Sequence, residues 1–215
     1  MDWSVIPANL PLLLRGLGLS FELAGITCLL AFPLGCLVAI ARIGRRRWLA
    51  NAAALFVNAL RSNPLVLIIF WFYFLVPIIV GRPLGELAST LIGFTVFFTA
   101  YFAEIVRSGI QSVGQAQVQA GLSTGLSPTQ TMRHIVLPQA LRAMVPALTT
   151  ECIIIFQATT VAYIVGYHEI LHTINTVVER TQRPIELYLF CAAVYLGICY
   201  AGSLLSRHFE KKAQR

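Results

Sequence analysis

The chain has 215 residues, of which 57% are hydrophobic and only 12% charged. A soluble domain carries about twice that charged fraction, so the composition excludes an ordinary water-soluble enzyme or binding module and points to a polytopic membrane protein. The net charge of +7 would suit a nucleic-acid partner, but the basic residues sit between long apolar runs, where membrane topology accounts for them.

Five apolar segments are long enough to cross a hydrocarbon core, which takes about 20 helical residues. The first covers about 12–40 and is least interrupted from Leu23 to Ile40; Pro33 and Gly35 are tolerable there because neighbouring helices can repair the backbone. No basic run precedes it, so this span is expected to serve as its own insertion signal. The second covers about 48–80 and is broken by Arg61-Ser62-Asn63-Pro64. The third, about 87–106, carries Glu104 near its end, and the fourth, about 144–167, has Glu151, Gln157, Thr159 and Thr160 inside it. In the fifth, about 185–206, Ala193, Gly197 and Ala201 recur every four residues, a stripe expected to let helices pack closely in lipid. Residues 1–215 therefore read as a single all-α transmembrane domain, without internal repeats or a soluble portion.

Cys28, Cys36, Cys152, Cys191 and Cys199 lie in or at the start of apolar runs with no C-x-x-C pair, the pattern of buried thiols and not of a disulfide or metal framework. Eleven of the 16 Lys and Arg residues fall on one side of the spans, against Arg82, Arg180 and Arg183 on the other. An excess of that kind marks the cytoplasmic side, so the N-terminus is expected outside and the C-terminus in the cytoplasm. The runs at Arg42–Arg47 and at Arg207, Lys211 and Lys212 read as topology determinants near anionic lipid; neither has the interleaved aromatics of a nucleic-acid surface.

The segment 115–138 is what membrane physics leaves unexplained. It is polar, and it is punctuated as helices are: Gly125 suits the left-handed residue that closes one helix, and Ser127-Pro128 an N-cap and first-turn proline that open the next. Two readings of the residues stand: a rigid elbow of two short helices on the cytoplasmic face, gripped by another protein, with Pro138 fixing its exit angle, or an ordinary interhelical loop. No G-x-x-x-x-G-K-[ST] phosphate loop exists, and the only lysines are Lys211 and Lys212, so any ATP chemistry must come from another subunit.

Four ordered motifs carry a resemblance. Gln119-Ala120-Gly121, followed by Gly125, Leu126, Ser127, Ile135, Leu137 and Pro138, is similar to the E-A-A loop of ABC-transporter permeases. Arg61-Ser62-Asn63-Pro64-Leu65 resembles the F-R-G-T-P-L signature of polar amino-acid permeases, the run from Ala103 to Ile110 their A-E-I-x-R-x-G-I, and that from Leu137 to Arg142 their L-P-Q-A-x-R. The resemblance covers nearly the whole chain and implies the transmembrane domain of a type I ABC importer with five transmembrane helices. It also implies a coupling-helix loop docked on one of two cytoplasmic ATPase subunits, which hold the ATP and Mg²⁺, while this chain carries no cofactor. A second permease subunit, identical or a sister, completes the pathway, a periplasmic binding protein delivers the amino acid, and the assembly sits in a bacterial inner membrane. The Arg-Ala-Met-Val-Pro run at 142–146 and the Phe156-Gln157 pair look most like glutamate/aspartate permeases. Three positions depart from the family pattern: Gln119 replaces a glutamate, Gly121 an alanine, and Ala158 an aspartate.

Ionisable groups at membrane depth mark a protein interior or a water-filled path. Arg61, Asn63, Glu104, Glu151, Gln157, Thr159 and Thr160 are therefore candidates for a substrate path. Pro64 is expected to free a backbone carbonyl there, and Arg61 to be able to meet a carboxylate bidentately. The competing readings are an ion pair of Arg61 with Glu104 or Glu151, snorkelling to the membrane surface, and plain interhelical hydrogen bonds. His168-Glu169-Ile170-Leu171-His172 spells H-E-x-x-H, which on a helix can hold zinc with Glu169 as base; the alternative is an interfacial helix. Besides an ABC permease, the functions to weigh are an ion-coupled secondary transporter, a membrane metalloprotease built on His168 and His172, and a scaffold subunit.

Overall fold

The computed structural model describes residues 1–44 and 46–213, with side chains to residue 207, and every regular element among them is helical. Helix α1 (Val5–Ile43) is followed by α2 (Arg47–Arg61), α3 (Leu65–Phe70), α4 (Val76–Val80), α5 (Glu86–Ser112), α6 (Gln115–Ser123), α7 (Pro128–Thr131), α8 (Leu137–Ala158), α9 (Ile170–Thr181) and α10 (Pro184–Ala213). Four continuous helical stretches are long and apolar enough to cross a membrane: α1, α5, Pro128–Val165 and Pro184–Arg207. A fifth crossing is the pair Arg47–Arg61 and Leu65–Val80, whose halves are bent by 104°.

Helix α5 is the centre of the bundle. Its phenylalanines Phe94, Phe98 and Phe102 are fully buried, and with Leu23, Ala31, Ile68, Ile69 and Ile155 they form the main core. At one end, small residues (Ala39, Ala100, Ala103 and Ala140) draw α1, α2, α5 and α8 together around Val57 and Met144. At the other end, Val5 and Leu13 of α1 pack with Ile170, Ile174 and Val177 of α9 and Leu187 of α10. Outside these cores the chain exposes Leu29, Leu37, Ile40, Leu55, Ile78, Ile79 and Leu196. Such a surface suits hydrocarbon, where apolar side chains cost nothing and every backbone polar group must be satisfied from within.

That requirement explains two wide turns. A π-helical turn spans Trp71–Leu75 just before Pro77, and another spans Met132–Val136 just before Pro138. Proline lacks an N–H and its ring collides with the carbonyl four residues back. In each case that carbonyl, Tyr73 or His134, lies inside the widened turn, and Val76 or Leu137 donates five residues back, to Trp71 or Met132. The helix thus passes the proline unbroken. Pro138 consequently does not end the polar elbow: α7, the π turn and α8 form one continuous rod, so only α6 is a separate short helix.

Close helix approach also falls elsewhere than the sequence stripe suggests. Ala193, Gly197 and Ala201 lie on the exposed side of α10, and a Cβ at Gly197 would meet nothing within 4 Å. The tight contact is at Gly35, where an added Cβ would stand 2.6 Å from Phe102 Cβ and 3.0 Å from the Ala103 nitrogen. Gly16 against Thr173 and Gly109 against Met144 are similarly close. The five cysteines are free; Cys28 and Cys152 place their sulfurs 3.8 Å apart across α1 and α8.

Gly35→Ala is expected to destabilise the chain by about 1–3 kcal/mol, the usual penalty of overpacking, because backbone atoms of α5 must move. Gly25→Ala, on the same helix but with nothing within 4 Å of the new Cβ, is expected to be neutral or to stabilise by up to about 1 kcal/mol. Thermal unfolding of the two variants in the same detergent compares them directly.

Candidate functional site

The first candidate region is the elbow. Leu126 N–H donates to the Gly121 carbonyl (3.3 Å) and Gly125 N–H to that of Leu122 (3.0 Å), with Gly125 at φ +85°. This six-to-one and five-to-two pair of bonds is the Schellman closure of α6, and glycine takes the left-handed position without a Cβ penalty. The next helix opens at once. Ser127 Oγ accepts from Gln130 N–H (3.3 Å), Gln130 Oε1 accepts from Ser127 N–H (2.8 Å), and Pro128 occupies the first turn. Two caps in seven residues leave the bend little freedom.

Gly121 is the pivot of this packing. It is buried, and a Cβ there would stand 2.6 Å from Ile135 Cδ1 and 3.0 Å from Thr131 Cγ2. The departure from alanine at this position therefore has a steric reason: Ile135 and Thr131 fill the space that an alanine methyl would take. Gln119, Ala120, Gly125, Ser127, Leu137 and Pro138 are exposed, and Leu126 and Ile135 half-buried. Gln119 supplies its carbonyl to Ser123 Oγ (2.9 Å), and its side chain is left to face outward.

The second region lies where the broken crossing meets α1 and α5. Glu104 takes Arg42 on one carboxylate oxygen and Arg107 on both, and Arg61 approaches to 3.8 Å. Arg61 also lies over the Tyr101 ring, 5.4 Å from its centroid, and Arg107 reaches Gln111. One carboxylate thus joins α1, α2 and α5. Of the readings open for Arg61, the structure shows the ion pair with Glu104, while its side chain keeps 41% exposure. Both oxygens of Glu104 are engaged by arginines of the chain. Asn63 is likewise occupied: its side-chain amide caps Ala59 (2.7 Å) and its N–H meets the Leu60 carbonyl (3.2 Å). The carbonyl that Pro64 was expected to free is therefore satisfied by Asn63.

Glu151 is different. It is buried on α8, and its Oε1 has no hydrogen-bond partner among the described residues. Gln157 is exposed. Thr159, which is buried, and Thr160, which is not, donate their hydroxyls to the Phe156 and Gln157 carbonyls (2.8 and 2.9 Å). The sequence brought Arg61, Glu104 and Glu151 into question together; Arg42 and Tyr101 it missed, since Arg42 carried only a topological signal and Tyr101 none.

The H-E-x-x-H stretch does not form a metal site. Glu169 is the N-cap of α9, fully buried, with its carboxylate accepting from Leu171 and His172 N–H (both 2.8 Å). Burial pushes its carboxyl up to about 7 against those two donors. His168 precedes the helix, its ring 4.4 Å from that of His172 and its Nδ1 3.8 Å from Glu86. Among the described residues no group of three His, Cys, Asp or Glu side chains is arranged to hold a metal.

Comparison with known proteins decides between the remaining functions. Residues 31–215 match the family described as the binding-protein-dependent transport system inner membrane component. The chain belongs to that family. The binding-protein-dependent permease is 36% identical over 218 residues to the glutamate/aspartate import permease protein GltK of Escherichia coli O6:H1, covering 98% of this chain and 97% of the relative. It is 32% identical over 205 residues to the probable glutamine ABC transporter permease protein GlnP of Bacillus subtilis, covering 94% of each. A crystal structure titled as an amino acid ABC transporter with histidines superposes with a TM-score of 0.94 at 24% identity over 99% of both chains. The inward-facing MetNI methionine transporter gives 0.69 at 22% identity over 94% of this chain and 98% of its own. The fold is thus that of an ABC importer transmembrane domain, and the chain is a membrane transport subunit rather than an enzyme. Membership also sets aside the ion-coupled carrier and the metalloprotease.

Glu104→Gln is expected to lower the thermal midpoint of the purified permease, since Arg42 and Arg107 lose their shared counter-charge. The loss should fall short of the about 3–5 kcal/mol of a fully buried pair, because these side chains keep 17–24% exposure. Arg42→Gln in the same chain should recover part of it; a double-mutant cycle on thermal unfolding shows the coupling.

Proposed function

We propose that this permease is half of the pathway of an ATP-driven importer of acidic amino acids in a bacterial inner membrane. The observation that carries the proposal is the elbow: a polar, doubly capped bend whose second arm runs without a break into the α8 crossing. A push on α7 is delivered along one continuous helical stretch, which contains Pro146, to the depth of Glu151. Relatives bearing the names of glutamate/aspartate and glutamine permeases support the substrate class.

In this reading the elbow end of the bundle, which carries Arg42, Arg107, Arg133 and Arg142, faces the cytoplasm, and the start of α1 faces the periplasm. Two ATPase subunits hold ATP and Mg²⁺ and grip Gln119, Ala120, Gly121, Gly125, Leu126, Ser127, Ile135, Leu137 and Pro138 or the surface these build. A second permease, identical or a sister, closes the pathway, and a periplasmic binding protein loads it. Arg61, with donors to spare above Tyr101, meets a substrate carboxylate, and Glu151 meets the α-amino group. Gln157 is placed further along the same helix. Closure of the two elbows then moves each α8 and changes which side of the membrane Glu151 faces.

Gly125→Asp tests the elbow. A Cβ at Gly125 would meet nothing within 4 Å of this chain, so the variant costs only the left-handed conformation, about 1–2 kcal/mol, and the new carboxylate lies on the docking surface. The expected outcome is normal insertion in the membrane with loss of ATPase co-purification and of ATP-driven uptake in proteoliposomes. Undiminished co-purification would remove the elbow from the coupling role. Arg61→Gln is expected to reduce uptake of glutamate and aspartate by at least about tenfold, as the loss of one charge-assisted bidentate contact does, while co-purification stays normal.

A further inference from the structure

At the end of the bundle opposite the elbow, α1, the start of α5 and α9 enclose a cavity of about 560 Å³. Its charged and titratable lining is Arg15, Glu86, Tyr167, His168, His172 and Arg180. None of these was needed for the coupling elbow or for the deeper path. Arg15 stands out because it belongs to the long apolar helix α1, two residues beyond the buried Leu13. Among the described residues, neither Arg15 nor Arg180 has a carboxylate within ion-pairing distance; the four ion pairs present involve Arg42, Arg61, Arg107 and His168. Glu86 has only His168, at 3.8 Å, which is too long for a hydrogen bond. His172 Nδ1 is buried without a partner.

Arg15 and Arg180 are exposed at this cavity and have no carboxylate partner among the described residues, so their guanidinium donors are open to a ligand. Each guanidinium presents a planar fork that fits one carboxylate with two parallel bonds. The cavity sets two such forks against one carboxylate. A dicarboxylic amino acid carries the complementary set, two carboxylates and one ammonium. A neutral amino acid leaves one arginine unmatched, and a basic one adds a second positive charge, so both are disfavoured by unpaired charge. The volume lies within the usual range for small-ligand sites, roughly 300–1,000 Å³, and leaves room for bridging water.

We propose that this cavity is an outer receiving site for a dicarboxylic amino acid, held between Arg15, Arg180 and Glu86 within a single protomer before it moves to Arg61 and Glu151. It rests on the reading of the chain as half of an importer with the start of α1 on the periplasmic side. The site lies wholly inside one chain, so it exists whichever permease subunit completes the pathway.

The test uses the complete complex of permeases and ATPases in lipid nanodiscs, without binding protein, carrying Arg61→Gln so that the deeper path does not contribute. Equilibrium binding is measured with radiolabelled L-glutamate and with glutarate, which keeps both carboxylates and lacks the ammonium. Saturable glutamate binding is expected, weakened at least about tenfold by Arg15→Gln or Arg180→Gln. Arg15→Lys, which keeps the charge, should recover part of it, and co-purification of the ATPase monitors folding in every variant. Glu86→Gln should weaken glutamate binding and leave glutarate binding unchanged. No saturable binding in the Arg61→Gln complex, or binding indifferent to Arg15 and Arg180, overturns the outer site. ATP-driven glutamate uptake by the wild-type complex is read separately: if it persists while the outer site fails, the importer reading stands and only this site falls.

Discussion

In hydrocarbon a backbone N–H or C=O that loses its helical partner has no water to turn to, and this constraint shapes the irregular positions within the crossings. Two prolines in the middle of crossings are passed by π turns that move the obstructing carbonyl aside. The break before Pro64 is closed by Asn63, which satisfies two carbonyls with its own side chain and N–H. At the bend of the elbow, Gly125 and Ser127 end one helix and begin another with bonds to spare, and Glu169 lends a whole carboxylate to the start of α9. Each of these sites supplies a substitute for the lost hydrogen bond, while Pro11 and Pro33 in α1 and Pro146 in α8 lie within continuous helix.

Helical continuity is what lets two distant regions act on one another. The second arm of the elbow shares a helix with Glu151, and the break that carries Arg61 is tied through Glu104 to α1 and α5. In the proposed coupling, a displacement at the elbow moves Glu151, which lies on the same helical stretch, relative to Arg61. Helices α1 and α5 pack tightly at Gly35, where an added Cβ would meet Phe102 and the Ala103 nitrogen. Helix α10 is peripheral, with its small residues turned outward.

The polar interior is divided by how fully each group is satisfied. Glu104, Asn63, Thr159 and Thr160 each bond to neighbours in the chain, and serve structure. Glu151, with a buried oxygen lacking a partner, and Arg61, half exposed over an aromatic ring, have capacity left. At the other end Arg15 and Arg180 share a cavity with Glu86 and two imidazoles, and burial together with His168 holds His172 below the usual imidazole range. Spare capacity, more than the presence of charge, separates groups that can receive a ligand from groups that hold the bundle together.

The residues alone determined that the chain crosses a membrane, because apolar length is a local property that no fold can hide. They also determined the bend at Gly125 and the cap at Ser127, since helix closure is written within six or seven neighbouring positions. The motif order marked the permease resemblance for the same reason. What the tertiary structure decided is everything that depends on which groups meet. Pro138 continues a helix instead of ending one, because a π turn four residues earlier makes room for its ring. Glu104 belongs to arginines from three helices, and Glu169 caps a helix instead of serving a metal. A residue's type fixes what it can bond to, but only the packing of distant segments fixes what is left for it to bond.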